Sequence, residues 1–316
     1  MTDAPDDSMA EPARVPAENG AELGRRLPAG RVLRVRLLEQ VAALRAAEGS
    51  IRSGDEEGVH DARVASRRLR AALALFRPAV DVRVTELLRG ELTWLARSLG
   101  AARDHHVARE RMSALAARDG EAASILLGQL QPSDPRLGEE RHDDAVLAVL
   151  DSTRYAALLT GLDVFAAEPG WTARSDDDAG PFVRRRVGKD WERLARSVSL
   201  VIDHPPGQMP DEALHDVRKD AKRLRYGLEV AELLWPRKPK RLGRLVHRLT
   251  DVLGERQDIA ITRAFLLQLA TRAQAAGEPT FVHGRLDRVE ETRGVELEGE
   301  FVRAWSATVA RRRQWP

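Results

Sequence analysis

This sequence predicts an all-α fold of two helical bundles made by internal duplication, and three observations predict it. Apolar residues recur at helical spacing through most of the 316 residues. Runs of β-branched and aromatic residues are scarce, and Phe, Trp and Tyr together make up only 4% of the chain. Finally, HDARVASRRLR from His60 recurs as HDVRKDAKRLR from His215, and LARSLGAARD at Leu95 to Asp104 aligns with LTDVLGERQD at Leu249 to Asp258. Both matches keep nearly the same offset, so the repeated unit is about half the chain, larger than a short solenoid repeat.

The elements follow in order. Residues 1–28 are rich in Asp, Glu, Pro and Ala, have little apolar periodicity, and read as a mobile acidic tail. From Gly30, Val32, Leu33, Leu37, Val41 and Leu44 mark one helical face, interrupted at Gly49-Ser50 and again at Ser53-Gly54. The first repeated helix starts between Asp55 and Val59 and stops before Pro78, which cannot continue it. A third helix runs from Val82 to Leu99, with Gly100 as a cap or close-packing point, and helix resumes from Ala101 to Arg118. A loop at Gln131 to Pro135 precedes a helix from Asp143 to Phe165.

Residues 167–181, rich in Gly, Pro, Ser and Asp, form the best linker, dividing bundles at 29–166 and 182–312. Beyond it the order repeats, with a helix from Phe182 to Ser199 and a loop at Pro205 to Pro210. The second repeated helix then runs to Leu234, a break falls at Trp235-Pro236, and helices follow from Lys240 to Leu269 and from Arg285 to Arg312. Connections this short favour antiparallel neighbours, so each half is expected to be a bundle.

Composition excludes several classes. Charged residues are 32% of the chain but the net charge is only +2, so any role for positive charge has to be local. With no cysteine there are no disulfides or thiolate metal sites, which fits a reducing cytoplasm. No run approaches about 18 apolar residues and the N-terminus is acidic, so neither a membrane span nor a signal peptide is expected. There is no glycine-rich phosphate loop, Ser66 and Ser98 lack a nucleophile elbow, and no cofactor motif occurs. Trp94, Trp191 and Trp235 are expected to pack in the core or at bundle ends.

The repeated helix carries the functional signal. Advancing about 100° per residue from His60 places Arg63, Arg67 and Arg70 within an arc of roughly 80°, as one stripe about 15 Å long. Ala62, Leu69, Leu73 and Phe76 lie opposite, free to bury in a bundle. His215, Arg218, Lys222 and Arg225 repeat the stripe with Leu224 and Leu228 behind it. A charge run is usually a solvated face, but such a face intersperses carboxylates at i,i+4, and here they are nearly absent. Aligned cations repel one another unless an anion relieves them. Arginine's planar fork suits phosphate oxygens, and a linear row suits a linear polyanion. A polyanion beside the two histidines would favour their protonated form.

These residues resemble a known family, the conserved histidine α-helical domain, or CHAD. The resemblance rests on H-D-x-R-x-x-x-[RK]-R-L-R at His60 and His215, with LGxxRD at Leu99 to Asp104 and LGxxQD at Leu253 to Asp258, and covers about Gly30 to Arg312. It implies two four-helix bundles related by pseudo-two-fold symmetry around a basic central groove or pore that binds inorganic polyphosphate. By that resemblance His60, Arg63, Arg67, Arg70, His215, Arg218, Lys222 and Arg225 face the ligand. With no cysteine, span or signal peptide the chain is expected to be cytoplasmic, with association to polyphosphate granules one available purpose. Arg68 and Arg223 sit about 80° off the stripe and are weaker candidates. Further basic rows are available to complete the walls: Arg31 and Arg34; Arg185, Arg186, Lys189, Arg193 and Arg196; and Arg241, Arg244 and Arg248. For these, and for Arg97 and Arg103, a solvated surface is the simpler reading. The family's strand-rich partner, a triphosphate tunnel enzyme with an ExExK pattern, has no counterpart in the sequence, so no catalysis is expected.

Three rival readings stay open, one of them a purely structural bundle that binds nothing. A groove that tracks phosphates would also hold a nucleic-acid backbone, although few aromatic residues are available to stack bases. The two His-Asp dipeptides invite an HD-type metal phosphohydrolase completed by His105, His106 and His142. A divalent cation beside an arginine row is repelled, however, and Asp61 and Asp216 suit capping or orienting an arginine better.

Overall fold

The structure, a computed structural model, describes residues 25–55, 57–100, 111, 114–115, 139–235 and 237–313. Among them are nine α-helices and no strand: α1 Ala29–Arg52, α2 Glu57–Leu75, α3 Val82–Ser98, α4 Glu139–Leu150, α5 Thr153–Ala167, α6 Ala179–Ser199, α7 Asp211–Glu232, α8 Lys238–Ala275 and α9 Phe281–Arg312. The helical spacing read from the sequence becomes the buried face of each. α1 buries Leu33, Leu37, Val41 and Leu44, α2 buries Ala62, Leu69 and Leu73, and α7 buries Val217, Leu224 and Leu228. α2 packs between α1 and α3, α7 packs between α6 and α8, and α8 packs along α9. The short turn from α1 to α2 depends on a glycine, since a β-carbon at Gly58 would lie 2.7 Å from the Ile51 amide nitrogen.

Several boundaries differ from the sequence reading, each for a local reason. α1 runs through Gly49-Ser50 and turns only at Gly54, whose φ of 79° is the left-handed conformation that glycine tolerates. The helix expected from Asp143 to Phe165 is two helices, because the Ser152 hydroxyl caps a new one by accepting from the Tyr155 amide at 3.2 Å. α8 starts earlier than Lys240, with Pro239 in its first turn where no amide hydrogen is needed. α9 starts at Phe281, after the turn at Gly277.

The linker is a packed strap. Trp171 bridges Val80, Thr172 Oγ1 donates to the Pro78 carbonyl at 2.7 Å, and Ala173–Asp176 forms a 3-10 turn against α1. Arg25 to Pro28 also belong to the fold rather than to the tail, since Pro28 bridges Asp178 and the Ala179 amide donates to the Leu27 carbonyl at 2.9 Å. Residues 1–24, the expected helix from Ala101 to Arg118 apart from three positions, and the expected loop at Gln131 to Pro135 lie outside the described residues.

The N-terminal and C-terminal sets of helices meet where the repeated helices touch. α2 contacts α7 and α6, and α1 contacts α6. Phe76, at the end of α2, stacks on Phe182 of α6 with ring centroids 5.4 Å apart, both buried. Arg186 donates from Nε to the Leu75 carbonyl at 3.0 Å and from Nη2 to the Ala74 carbonyl at 3.2 Å. It thereby satisfies acceptors that the helix end leaves open. Burial holds this guanidinium below its ordinary value, with Asp190 opposing the shift. On the far side, Trp191 stacks on Trp305 at 5.2 Å and joins α6 to α9.

The Phe76–Phe182 stack therefore ties the end of α2 to α6 where the two sets of helices meet. Phe76→Ala is expected to lower stability by about 3–5 kcal/mol in denaturant unfolding. A loss below about 1 kcal/mol would show that the stack does not hold this junction.

Candidate anion-binding site

Each repeated helix presents its stripe because its back is apolar. His60 and His215, near the helix N-termini, are exposed, whereas Arg63, Arg67, Arg70, Arg218, Lys222 and Arg225 are half-buried. Behind them Ala62, Leu69, Ala221 and Leu224 are almost completely buried. All eight residues expected at the site therefore sit on the two stripes as the sequence placed them.

The stripes come together where α2 packs against α7. Lys222 is pushed down to about 8 from its ordinary 10.5, first by burial and then by Arg218, Arg67, Arg225 and Arg63. Two of these arginines lie on α7 with it and two on α2, so cations from both repeats share one field. Arg70 is also held below its ordinary value, by burial and then by Arg89 and Arg97 of α3. Among the described residues no ion pair or hydrogen bond engages Arg67, Arg70 or Lys222, and the buried Nε atoms of Arg67, Arg70 and Arg225 have no hydrogen-bond partner. Arg225 lies 4.6 Å above the Tyr226 ring centroid and donates to its hydroxyl at 2.9 Å.

The second sequence motif supports the first. A β-carbon at Gly100 would lie 3.1 Å from Arg63 Nη2, and one at Gly254 would lie 3.0 Å from Arg218 Nη2. The glycine of each LG pair thus makes room for the first arginine of a stripe. That is the close-packing role expected for Gly100. Gln257 Oε1 accepts from His215 Nδ1 at 2.9 Å, which leaves Nε2 as the outward nitrogen. Arg103 and Asp104 lie outside the described residues.

The weaker candidates divide. Arg68 donates from Nε to Glu229 at 2.8 Å, Arg223 to Asp190 at 2.6 Å, and Arg193 to Asp220 at 2.7 Å. Asp190 is buried, and burial pushes its carboxyl up while Arg223 pulls it back. These three arginines are committed to carboxylates that the helical projection did not reveal. Arg34, Arg185, Lys189, Arg241, Arg244 and Arg248 are exposed and are not among the cations acting most strongly on Lys222 or Arg70. Asp216 does not orient an arginine of the stripe. It pairs with Lys219 at 2.6 Å, which holds its carboxyl below the usual range.

Sequence reasoning missed Arg89, Arg36 and Glu229. Arg89 and Arg97 sit eight residues apart on one face of α3, a spacing that marks them as a pair. Glu229 falls four residues beyond Arg225, the next position on the stripe. His105 and His106 of the metal reading lie outside the described residues, as does the side chain of His142. Among the described residues no three His, Asp or Glu side chains converge as metal ligands. No single described helix is long and apolar enough to cross a membrane.

Comparison with known proteins places this geometry in context. Residues 35–267 match the CHAD domain. Proteins MT2285 and Rv2226, from two strains of Mycobacterium tuberculosis, are each 28% identical over 255 residues, covering 80% of this chain and 48% of their own length. The chain thus spans about half the length of these curated relatives. PptA from Streptomyces chartreusis has a similar fold, with a TM-score of 0.69 and 22% identity over 88% of this chain and 99% of its own. The crystal structure of the CHAD domain from the plant Ricinus communis aligns with a TM-score of 0.67 and 23% identity, over 90% of this chain and 93% of that one. With the match spanning well over half of its residues, including both His-Arg helices, the chain belongs to the CHAD domain family.

Proposed function

We propose that this protein binds long-chain inorganic polyphosphate along the two His-Arg stripes, and does so without chemistry of its own. The observation that carries this reading is the convergence of half-buried cations from both repeats on Lys222, with Arg67, Arg70 and Lys222 lacking a carboxylate among the described residues. A fold gains no stability from such a cluster, since each cation raises the cost of its neighbours. A linear polyanion relieves all of them at once and releases its own counterions. Family membership supports polyphosphate as that polyanion. The doubled motif supports a duplicated unit, one bundle at 29–166 and the other at 182–312, with the stripes walling a groove between them. Such a groove would suit tethering to polyphosphate granules.

A nucleic-acid backbone offers the same anions, but the aromatic ring beside the stripe, Tyr226, is buried and covered by Arg225. That leaves no stacking platform there for a base.

Removing the unpaired cations separates binding from structure. The double variant Arg67→Ala, Lys222→Ala is expected to melt no lower than the wild type. It should bind polyphosphate at least about tenfold more weakly, with the salt dependence shallower by about one to two ions. A variant that unfolds, or that binds normally, contradicts the proposal.

Lys222 gives the site a pH dependence with a definite sign. The ligand favours its charged form, so affinity should fall as pH rises through about 8, with a proton taken up on binding in that range. Without ligand the sign is opposite. The unfolded state binds this proton more tightly, so stability should rise from about pH 8 towards 10.5. Lys222→Arg should flatten the affinity profile between about pH 7.5 and 9.5, because an arginine stays charged there. An equally steep profile in that variant would place the titrating group elsewhere.

A further inference from the structure

Glu229 occupies the position on α7 where the basic stripe would continue, four residues after Arg225. It accepts from Arg68 of α2 at 2.8 Å and from Arg36 of α1 at 3.2 Å through the same oxygen, Oε2, while Arg225 Nε stands 3.8 Å from Oε1. Three arginines from three helices therefore surround one carboxylate. Arg36 and Arg225 are largely buried, with side chains 12% and 17% exposed, and Glu229 retains 22%. That leaves the carboxylate reachable from solvent. The equivalent stripe position on α2, fourteen residues after His60, is Ala74, so only one of the two stripes ends in an acid. Two of the arginines come from helices N-terminal to the linker, and the carboxylate comes from beyond it. The cluster is thus formed only where the two parts of the chain meet.

A carboxylate ringed by arginine forks is chemically close to a phosphoryl group held the same way. We infer that Arg36, Arg68 and Arg225 form a further phosphate subsite at the end of the stripes, which Glu229 fills as an internal anion and so ends the track available to polyphosphate. This rests on the polyphosphate reading and adds a residue that limits the site. Glu229 neutralises Arg68 and, together with Glu39, Arg36, which would otherwise carry the row past Arg225, and repels a phosphoryl group approaching along it. It also accounts for Arg68 lying off the stripe: its partner is this carboxylate.

Glu229→Gln tests the inference, because it keeps shape and removes charge. With long-chain polyphosphate, the variant is expected to bind about tenfold more tightly than wild type at low salt. Its log affinity against log salt should be steeper by about one to two ions, as the freed arginines take phosphates. If the uncompensated arginines unfold the variant, polyphosphate should restore the wild-type helical circular dichroism and melting transition, whereas sodium chloride of equal ionic strength should not. Wild-type binding together with unchanged or weaker binding by Glu229→Gln, or an unfolded variant that polyphosphate does not restore, overturns this inference alone. No binding by the wild type overturns the functional reading and this inference with it.

Discussion

The repulsion among half-buried cations that two helices hold side by side is the constraint on which the rest of the structure depends. Lys222 lies in the field of Arg63 and Arg67 of α2 and of Arg218 and Arg225 of α7, and Arg70 in that of Arg89 and Arg97, on a surface only partly open to water, where charges interact more strongly than in bulk solvent. Left to themselves, α2 and α7 would be driven apart. They are kept together by what lies behind and beside the stripes. Leucines and alanines pack their backs, the Phe76–Phe182 stack joins α2 to α6, and Arg186 is anchored to the last carbonyls of α2. The apolar core thus bears the cost of a preorganised cationic surface.

The two sequence motifs turn out to be one device. In each LG motif an arginine of the His-Arg motif lies against the glycine, Arg63 at Gly100 and Arg218 at Gly254. Gln257 fixes the ring of His215 from the same turn of helix. The arginines are therefore placed by backbone proximity as well as by rotamer.

Much of this was legible in the sequence, because helical periodicity converts residue number directly into direction. The stripes and their buried backs follow from a rise and a turn per residue. Partners across space were not legible. Arg68 and Arg223 differ little from Arg67 and Lys222 in a one-dimensional string, yet the first two meet Glu229 and Asp190 and the others meet no carboxylate among the described residues. The break at Ser152 was hidden for another reason. Apolar spacing continues across it, and only the cap geometry shows that one helix ends and another begins. The folded strap at Trp171 to Asp176 was obscured by a composition that also suits a loose linker.

A multivalent cation–phosphate contact selective for polyphosphate is tested most directly by the affinity of the wild-type chain for long-chain polyphosphate across a salt series, with RNA of equal phosphate content as competitor. Log affinity is expected to fall steeply and linearly with log salt, by several ions, and RNA is expected not to displace polyphosphate at equal concentration. An affinity independent of salt, or displacement by RNA at parity, would contradict it.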